Sequence, residues 1–177
     1  LGDEVEAFEQ EFAAFVGVPH AVGVGTGTDA LTLSLRALGI GPGDEVVSVA
    51  NAGVAPVAAI RASGAQLRLV DVDPDTLLID PQYLAGVLGP ATRAIVAVHL
   101  YGNPVDLGAL LEVASARGIP VVEDCAQAHG ARWQGESVGS RGRVGCFSFY
   151  PTKKIGAFGD GGLCVTHDAQ LAARIRE

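Results

Sequence analysis

Val144-Gly-Cys-Phe-Ser-Phe-Tyr-Pro-Thr-Lys-Lys-Ile-Gly-Ala-Phe-Gly-Asp-Gly-Gly162 is the stretch on which the reading of this chain turns. Its opening is a continuous apolar run, which predicts a strand buried on both faces over 144–149. Pro151 cannot donate to a sheet ladder and stops that strand. Lys153 and Lys154 follow, and then four glycines within the seven residues 156–162. A lysine just past a strand end, in a glycine-rich turn, is placed to face a crevice. Most lysines are simply solvated surface charges. Lys153 therefore becomes a candidate nucleophile only if other strand ends bring chemistry to the same place.

Working outward, strand-like and helix-like segments alternate. Asp3 with Glu6 three residues on reads as a capping box. The helix it opens carries Val5, Phe8, Phe12 and Phe15 at helical spacing, a core-packing stripe, and Gly17 with Pro19 closes it. Strands are expected at 21–24, 45–49, 66–70, 94–98, 120–123, 144–149 and 163–166. Helices are expected near 30–38, 56–63, 81–88 and 106–117, with a last one opened by Asp168. The strands are continuous apolar runs, the pattern of a parallel sheet covered by helices on both faces, hence an α/β fold. Crossovers should be right-handed. No crossover helix fits between the sixth and seventh strands, so the seventh is antiparallel to the sixth or is not its neighbour. No linker or repeat divides residues 1–177, which read as one domain.

Composition bounds the function. The chain has 177 residues, 49% hydrophobic and 18% charged, enough for one domain with a sizeable core. Such apolarity implies fully buried strands or a surface meant for a partner. No apolar run reaches the ~18 residues of a membrane span, and the opening residues form an acidic helix, not a secretory signal. Net charge is −8 with no basic stripe, which argues against nucleic acid. Cys125, Cys146 and Cys164 are odd in number and sit in apolar contexts. They fit reduced thiols in a cytoplasmic protein better than disulfides or a zinc site. The sequence lacks methionine even at position 1, as expected of an excerpt from a longer protein or of a processed one.

In an open α/β sheet, ligands collect at the carboxyl ends of the strands, and three such ends carry chemistry here. The first is Gly25-Thr-Gly-Thr-Asp-Ala30, a glycine-rich turn feeding a helix N-terminus. Free N–H groups and the positive end of the helix dipole suit it to phosphate, with Thr26 or Thr28 adding a hydroxyl. Capping by Thr28 or Asp29, with the glycines serving only the turn, is the plainer alternative. The turn also fits the loose G-x-G-x-x-[GA] pattern of dinucleotide binding. The ribose-binding acid expected at the end of the second strand is missing, because Asp44 and Glu45 lie at its start. The second end is Glu123-Asp-Cys-Ala-Gln-Ala-His129. A carboxylate emerging from Pro-Val-Val is half buried and needs a cation, either a protonated pyridine nitrogen or an arginine such as Arg132. The third end is the lysine stretch. A phosphate cradle, a buried aspartate and a lysine are the parts that pyridoxal phosphate requires. Lys153 would form a Schiff base with it and then shuttle a proton, and Ser148 could donate to the phosphate.

Gly25-Thr-Gly-Thr-Asp-Ala-Leu31, Gly41-Pro-Gly-Asp-Glu-Val46, Val98-His-Leu-Tyr-Gly102, Glu123-Asp-Cys-Ala-Gln-Ala-His-Gly-Ala131 and Phe147-Ser-Phe-Tyr-Pro-Thr-Lys153 together resemble the DegT/DnrJ/EryC1/StrS family of pyridoxal-phosphate-dependent sugar aminotransferases. The resemblance covers nearly the whole chain. It implies the large α/β/α domain of that fold, a seven-stranded sheet with one antiparallel strand, lacking the family's smaller C-terminal domain. It also implies a homodimer with active sites at the interface, glutamate or glutamine as amino donor, and a nucleotide-linked keto-deoxysugar as acceptor. By motif, Lys153 matches the Schiff-base lysine, Asp124 the partner of the pyridine nitrogen, and Gln127 the contact of the ring hydroxyl. Gly27 and Thr28 match the phosphate turn, joined by Ser148. Lysine at 153, where some dehydratase relatives carry histidine, favours transamination.

Two positions depart from the family pattern. Gly53 stands where many members carry an aromatic residue that stacks on the cofactor ring, and Lys154 stands where asparagine or proline is usual. Dehydration or amino transfer to a cyclitol, a non-catalytic regulatory relative that keeps the cofactor site, and a nicotinamide dehydrogenase are the alternatives. The absorption spectrum after addition of pyridoxal phosphate separates them.

Overall fold

The structure, a computed structural model, describes residues 2–177. In chain order it comprises α1 (Asp3–Val16), β1 (His20–Val24), α2 (Gly27–Ala37), β2 (Glu45–Val49), α3 (Val54–Ser63), β3 (Gln66–Val70), α4 (Pro81–Val87) and β4 (Thr92–Val98). There follow α5 (Leu107–Ser115), β5 (Val121–Asp124), the short hairpin β6 (Arg132–Trp133) and β7 (Glu136–Ser137), β8 (Val144–Ser148), β9 (Gly162–Thr166) and α6 (Ala169–Arg176). Seven strands form one sheet in the order β1-β9-β8-β5-β4-β2-β3. Only β9 is antiparallel to its neighbours, β1 on one side and β8 on the other. The two alternatives for the last strand are thus settled: it is the neighbour of β8 and runs against it.

The continuous apolar strands are buried on both faces, as their composition demands. On one face Leu31 and Leu35 of α2, Ile60 of α3 and Leu171 of α6 pack on Val46, Val96, Val122 and Val144. On the other, Leu84 of α4 and Leu107 and Leu110 of α5 pack on Val47, Ile95 and Val121. Phe12 of α1 continues that second layer over Phe147, Phe149 and Leu163. The result is a three-layer α/β/α domain.

Several local expectations need correction. Asp3 does not cap α1; Gly2 stands at the cap without a side-chain bond, and Asp3, Glu4 and Glu6 lie inside the first turn, where they favour the helix dipole. The phenylalanine stripe is only partly core. Phe12 is buried, whereas Phe8 and Phe15 remain partly exposed, and Glu9 is buried instead. Glu9 accepts from the Gly23 N–H at 2.6 Å and takes the Arg176 guanidinium through both carboxylate oxygens, at 3.2 and 2.7 Å. This tie of α6 to α1 depends on residues 167 positions apart. Helix α2 starts at Gly27, three residues before the expected Ala30, and its cap is Thr26 rather than Thr28 or Asp29. The Thr26 hydroxyl accepts from the Asp29 N–H and donates to the Asp29 carboxylate, both at 2.9 Å, a reciprocal cap that holds the earlier start. The β6–β7 hairpin has no counterpart among the expected strands. Its turn is Gln134-Gly135, both at positive φ, and each strand is too short to show periodicity.

Candidate active site

Strand register gathers the three chemical strand ends at one edge of the sheet. Val24 at the end of β1 pairs with Gly162, and Gly162 pairs with Ser148 at the end of β8. Asp124 pairs with Cys146 of β8 on one side and with Val98 of β4 on the other. Because β9 runs backwards, its first residue lies among the last residues of its neighbours. Gly162 is consequently the pivot. A Cβ there would lie 2.2 Å from the Thr26 carbonyl oxygen, so only glycine lets the β1–α2 turn close onto β8. Gly27 meets the same limit, since a Cβ on it would fall only 2.5 Å from the Ser148 Cβ. Gly27 and Ser148 are therefore in direct contact.

The turn leaves two N–H groups without protein acceptors among the described residues. The Asp29 N–H is taken by Thr26 Oγ1 and the Ala30 N–H by the Thr26 carbonyl. Among the described residues no protein acceptor meets the Gly27 or Thr28 N–H, and both point from the positive end of α2. Ser148 is buried, and its Oγ receives only a long contact, 3.4 Å, from the Tyr150 N–H.

Asp124 is 6% exposed. Its Oδ1 accepts from the Ala126 N–H at 3.0 Å, and among the described residues no protein donor reaches Oδ2. Burial raises its carboxyl above the usual range, against the opposing pull of the Ala126 N–H, of His99 and of Lys153. Arg132 is not its partner; that guanidinium bonds the Gly135 carbonyl in the hairpin turn. The buried aspartate thus keeps an unmet demand for a cation.

Lys153 is half buried, and the loop carrying it folds back on β8. Its N–H donates to the Tyr150 carbonyl at 2.8 Å, while Phe149 exchanges backbone bonds with Gly161 and Ala157. Its positive charge acts on both Asp124 and His129. Lys154, the rival amine, is exposed. Gln127 is half buried, and its Oε1 accepts from the Tyr101 N–H at 2.9 Å. Gly53, at the α3 cap, faces open space: a Cβ there meets nothing within 4 Å. Cys125, Cys146 and Cys164 are all buried free thiols.

Two residues outside the expected set shape the site. Glu123 and His99 are fully buried and joined at 2.9 Å. His99 Nδ1 takes the Val105 N–H, which makes Nε2 the donor to Glu123. The carboxylate also accepts from the N–H groups of Gly139, Arg141 and Gly142. Burial would raise the Glu123 carboxyl, but the His99 bond and these amides hold it below the usual range. This network fixes β5 and hence its next residue, Asp124. His99 and Glu123 also lie within 4.8 Å of Cys125 Sγ, a set with metal-ligating atom types. The donors already around the carboxylate leave it no role as a ligand. The only signal for the pair in the sequence is its place inside the segments Val98–Gly102 and Glu123–Ala131.

The arrangement has relatives. A model of the DegT/DnrJ/EryC1/StrS aminotransferase family matches residues 1–177. The dTDP-3-amino-3,4,6-trideoxy-alpha-D-glucose transaminase of Streptomyces venezuelae is 50% identical over 176 residues, 99% of this chain and 46% of that protein. An X-ray structure of S. venezuelae DesV in complex with a ketimine intermediate matches with a TM-score of 0.97 at 50% identity, over 99% of this chain and 47% of that one. The crystal structure of NtdA from Bacillus subtilis, with bound cofactor PMP, matches with a TM-score of 0.93 at 32% identity, over 99% of this chain and 39% of that one. The chain spans less than half the length of each. Sequence, fold and the meeting of the three strand ends lead to one conclusion: this chain belongs to the DegT/DnrJ/EryC1/StrS aminotransferase family.

Proposed function

We propose that the protein is a pyridoxal-phosphate-dependent aminotransferase that moves an amino group from glutamate or glutamine to a nucleotide-linked keto-deoxysugar. The observation that carries this reading is the contact of Gly27 with Ser148 at the same strand ends as Asp124, whose carboxylate meets a single backbone amide, and the half-buried Lys153. The residues present fit the cofactor. The free Gly27 and Thr28 N–H groups and the Ser148 hydroxyl would hold its phosphate, and Asp124 would accept a hydrogen bond from its protonated ring nitrogen and keep it protonated. When bound, the cofactor supplies an aldehyde and an electron-withdrawing ring. Lys153 Nζ would be the amine that holds the cofactor through its aldehyde carbon, with loss of water. With its amine free, Lys153 would be the base placed to take a proton from the substrate Cα and return it.

The acceptor class is supported by the relative named as acting on a dTDP-linked amino sugar. Homodimer formation is supported by exposed Tyr150, Ile155 and Phe158 on the lysine loop, beside an apolar hollow of about 560 Å³ lined by Val5, Phe8, Val24, Phe149 and Ile155. Remaining substrate contacts are assigned to parts of the protein beyond this chain, in the manner of a second, smaller domain. A cytoplasmic location is supported by the three free thiols. No described helix is long and apolar enough to cross a membrane.

The test is spectroscopic. Pyridoxal phosphate added to the full-length protein should produce a visible band that borohydride bleaches. Lys153→Ala should lose that band and Lys154→Ala should keep it. Glutamate should then discharge the band, and a panel of nucleotide keto-sugars should restore it. A protein that forms no band, or a band that persists in Lys153→Ala, defeats the reading.

A further inference from the structure

Lys153 and Lys154 are the only lysines of a chain with net charge −8. Exposed lysines usually spend their charge on solvent. Lys154 is exposed, yet its ammonium is held down on the strand ends. The turn beyond β4 receives it there, with Tyr101 at φ 55° and Gly102 at φ 85°, both in left-handed backbone. A Cβ on Gly102 would meet Lys154 Nζ at 2.8 Å, its Cε at 3.9 Å and the Gln127 carbonyl oxygen at 3.3 Å. Any larger residue would displace the ammonium, and only glycine adopts that backbone freely. Tyr101 carries strain in the same turn, and such strain gathers at functional sites. The place is the crevice itself: the turn follows β4, whose Val98 pairs with Asp124, and Gln127 lies three residues past Asp124.

The charge placed there has no counter-ion. Among the described residues no carboxylate lies within 4.0 Å of Lys154 Nζ. Arginines elsewhere are taken: Arg141, Arg143 and Arg176 by carboxylates, Arg36, Arg132 and Arg174 by backbone carbonyls. The cofactor's phosphate is not the partner either. In the reading above it sits on Gly27, Thr28 and Ser148, at the ends of β1 and β8. Lys154 Nζ lies over the turn after β4, on the far side of β5 from β8. An anion that arrives with a substrate remains. An amino-acid donor brings carboxylates, and a nucleotide-linked sugar brings phosphates. We propose that Lys154 is a substrate-binding residue whose ammonium takes such an oxyanion at the β4–β5 side of the crevice. This rests on the cofactor reading above and adds to it a charge where the family pattern has asparagine or proline.

The experiment follows the two half-reactions of the full-length protein separately, as discharge of the visible band by glutamate and its return with a nucleotide keto-sugar. Lys154→Ala should keep the band and raise the half-saturating concentration about tenfold in at least one half-reaction, as loss of one charge-assisted hydrogen bond does. The limiting rate should stay within about twofold, because the contact is made in the ground state as well. A rise with glutamate assigns the carboxylate, and a rise with the keto-sugar assigns the phosphate. Calorimetric titration with two unreactive probes, glutarate and thymidine diphosphate, should show the same loss in the same arm. Lys154→Arg should recover most of the loss, since it restores the charge. Salt at about 0.5 M should narrow the wild-type advantage by screening. Unchanged half-saturation in both arms overturns the proposal, as does a loss that arginine does not recover or that falls on the limiting rate alone. A wild-type protein without the band defeats the cofactor reading; a wild-type band with Lys154→Ala saturating like wild type overturns only the role given to Lys154.

Discussion

Glu123 and Asp124 are consecutive carboxylates on one buried strand, and they end on opposite sides of the ordinary carboxylate range. Burial pushes both upward. Glu123 points into a shell of one imidazole and three backbone amides, which overcomes the push. Asp124 points the other way and is met by a single backbone amide. Strand alternation alone separates them. A carboxylate satisfied from within serves the fold. A carboxylate left short of donors costs stability and stays open to a ligand that supplies a donor.

The largest effect tests Asp124. Asp124→Asn cannot counter a ring cation, and full-length turnover should fall about a hundredfold or more. The unfolding midpoint without cofactor should stay level or rise, because an undersupplied buried charge has gone. A clear loss of stability would make Asp124 another structural acid. Next comes its neighbour. Glu123→Gln turns an NH2 toward backbone amides and should cost about 3–5 kcal/mol in urea unfolding, as breaking buried pairs does. An unchanged midpoint would deny the network its role.

The pH dependence of stability should separate the two by sign. The Glu123 carboxyl is depressed on folding, so its contribution is present above the unfolded value of 4.5 and is lost as pH falls below it. The Asp124 carboxyl is raised, so its contribution is present below 3.8 and is lost as pH rises through its folded value. Unfolding midpoints across pH 3–7 should lose their acid-side fall in Glu123→Gln and gain stability on the neutral side in Asp124→Asn. The smallest effect concerns His129, buried among Phe12, Phe147 and Phe149. Burial first, then the charges of Lys153 and Lys154, lower its basicity, so stability should decline as pH falls below 6.5. His129→Phe should stay within about 1 kcal/mol of wild type at pH 8 and lose that acid-side decline. A decline that survives the substitution belongs to another group.

Much of the architecture is legible along the chain. The runs at 45–49, 94–98 and 144–149 are apolar without alternation, so they can serve only as strands covered on both faces. Gly64 and Gly118 mark helix ends because left-handed backbone suits them. Lys153, Asp124 and the Gly27–Thr28 turn stand out as candidates because each lies at or just past a strand end. What fails is anything resting on distant partners. By local pattern Asp3 is a cap and Phe8 and Phe15 are core, while nothing near Glu9 in the sequence marks it for burial. Glu9 is instead reached by Arg176 and the Gly23 amide, from opposite ends of the chain.

Fold class, the order of strands and helices, and the residue types at each strand end follow from hydrophobic period and turn chemistry, which act between near neighbours. Which strand end touches which follows from register. The row Val24–Gly162–Ser148, the reversed β9 that makes it possible, the four donors around Glu123 and the bond from Tyr101 to Gln127 all join segments apart in the chain. Such contacts form only when the whole sheet closes, because each needs backbone placed to within a few tenths of an ångström by strands that carry no mark of one another.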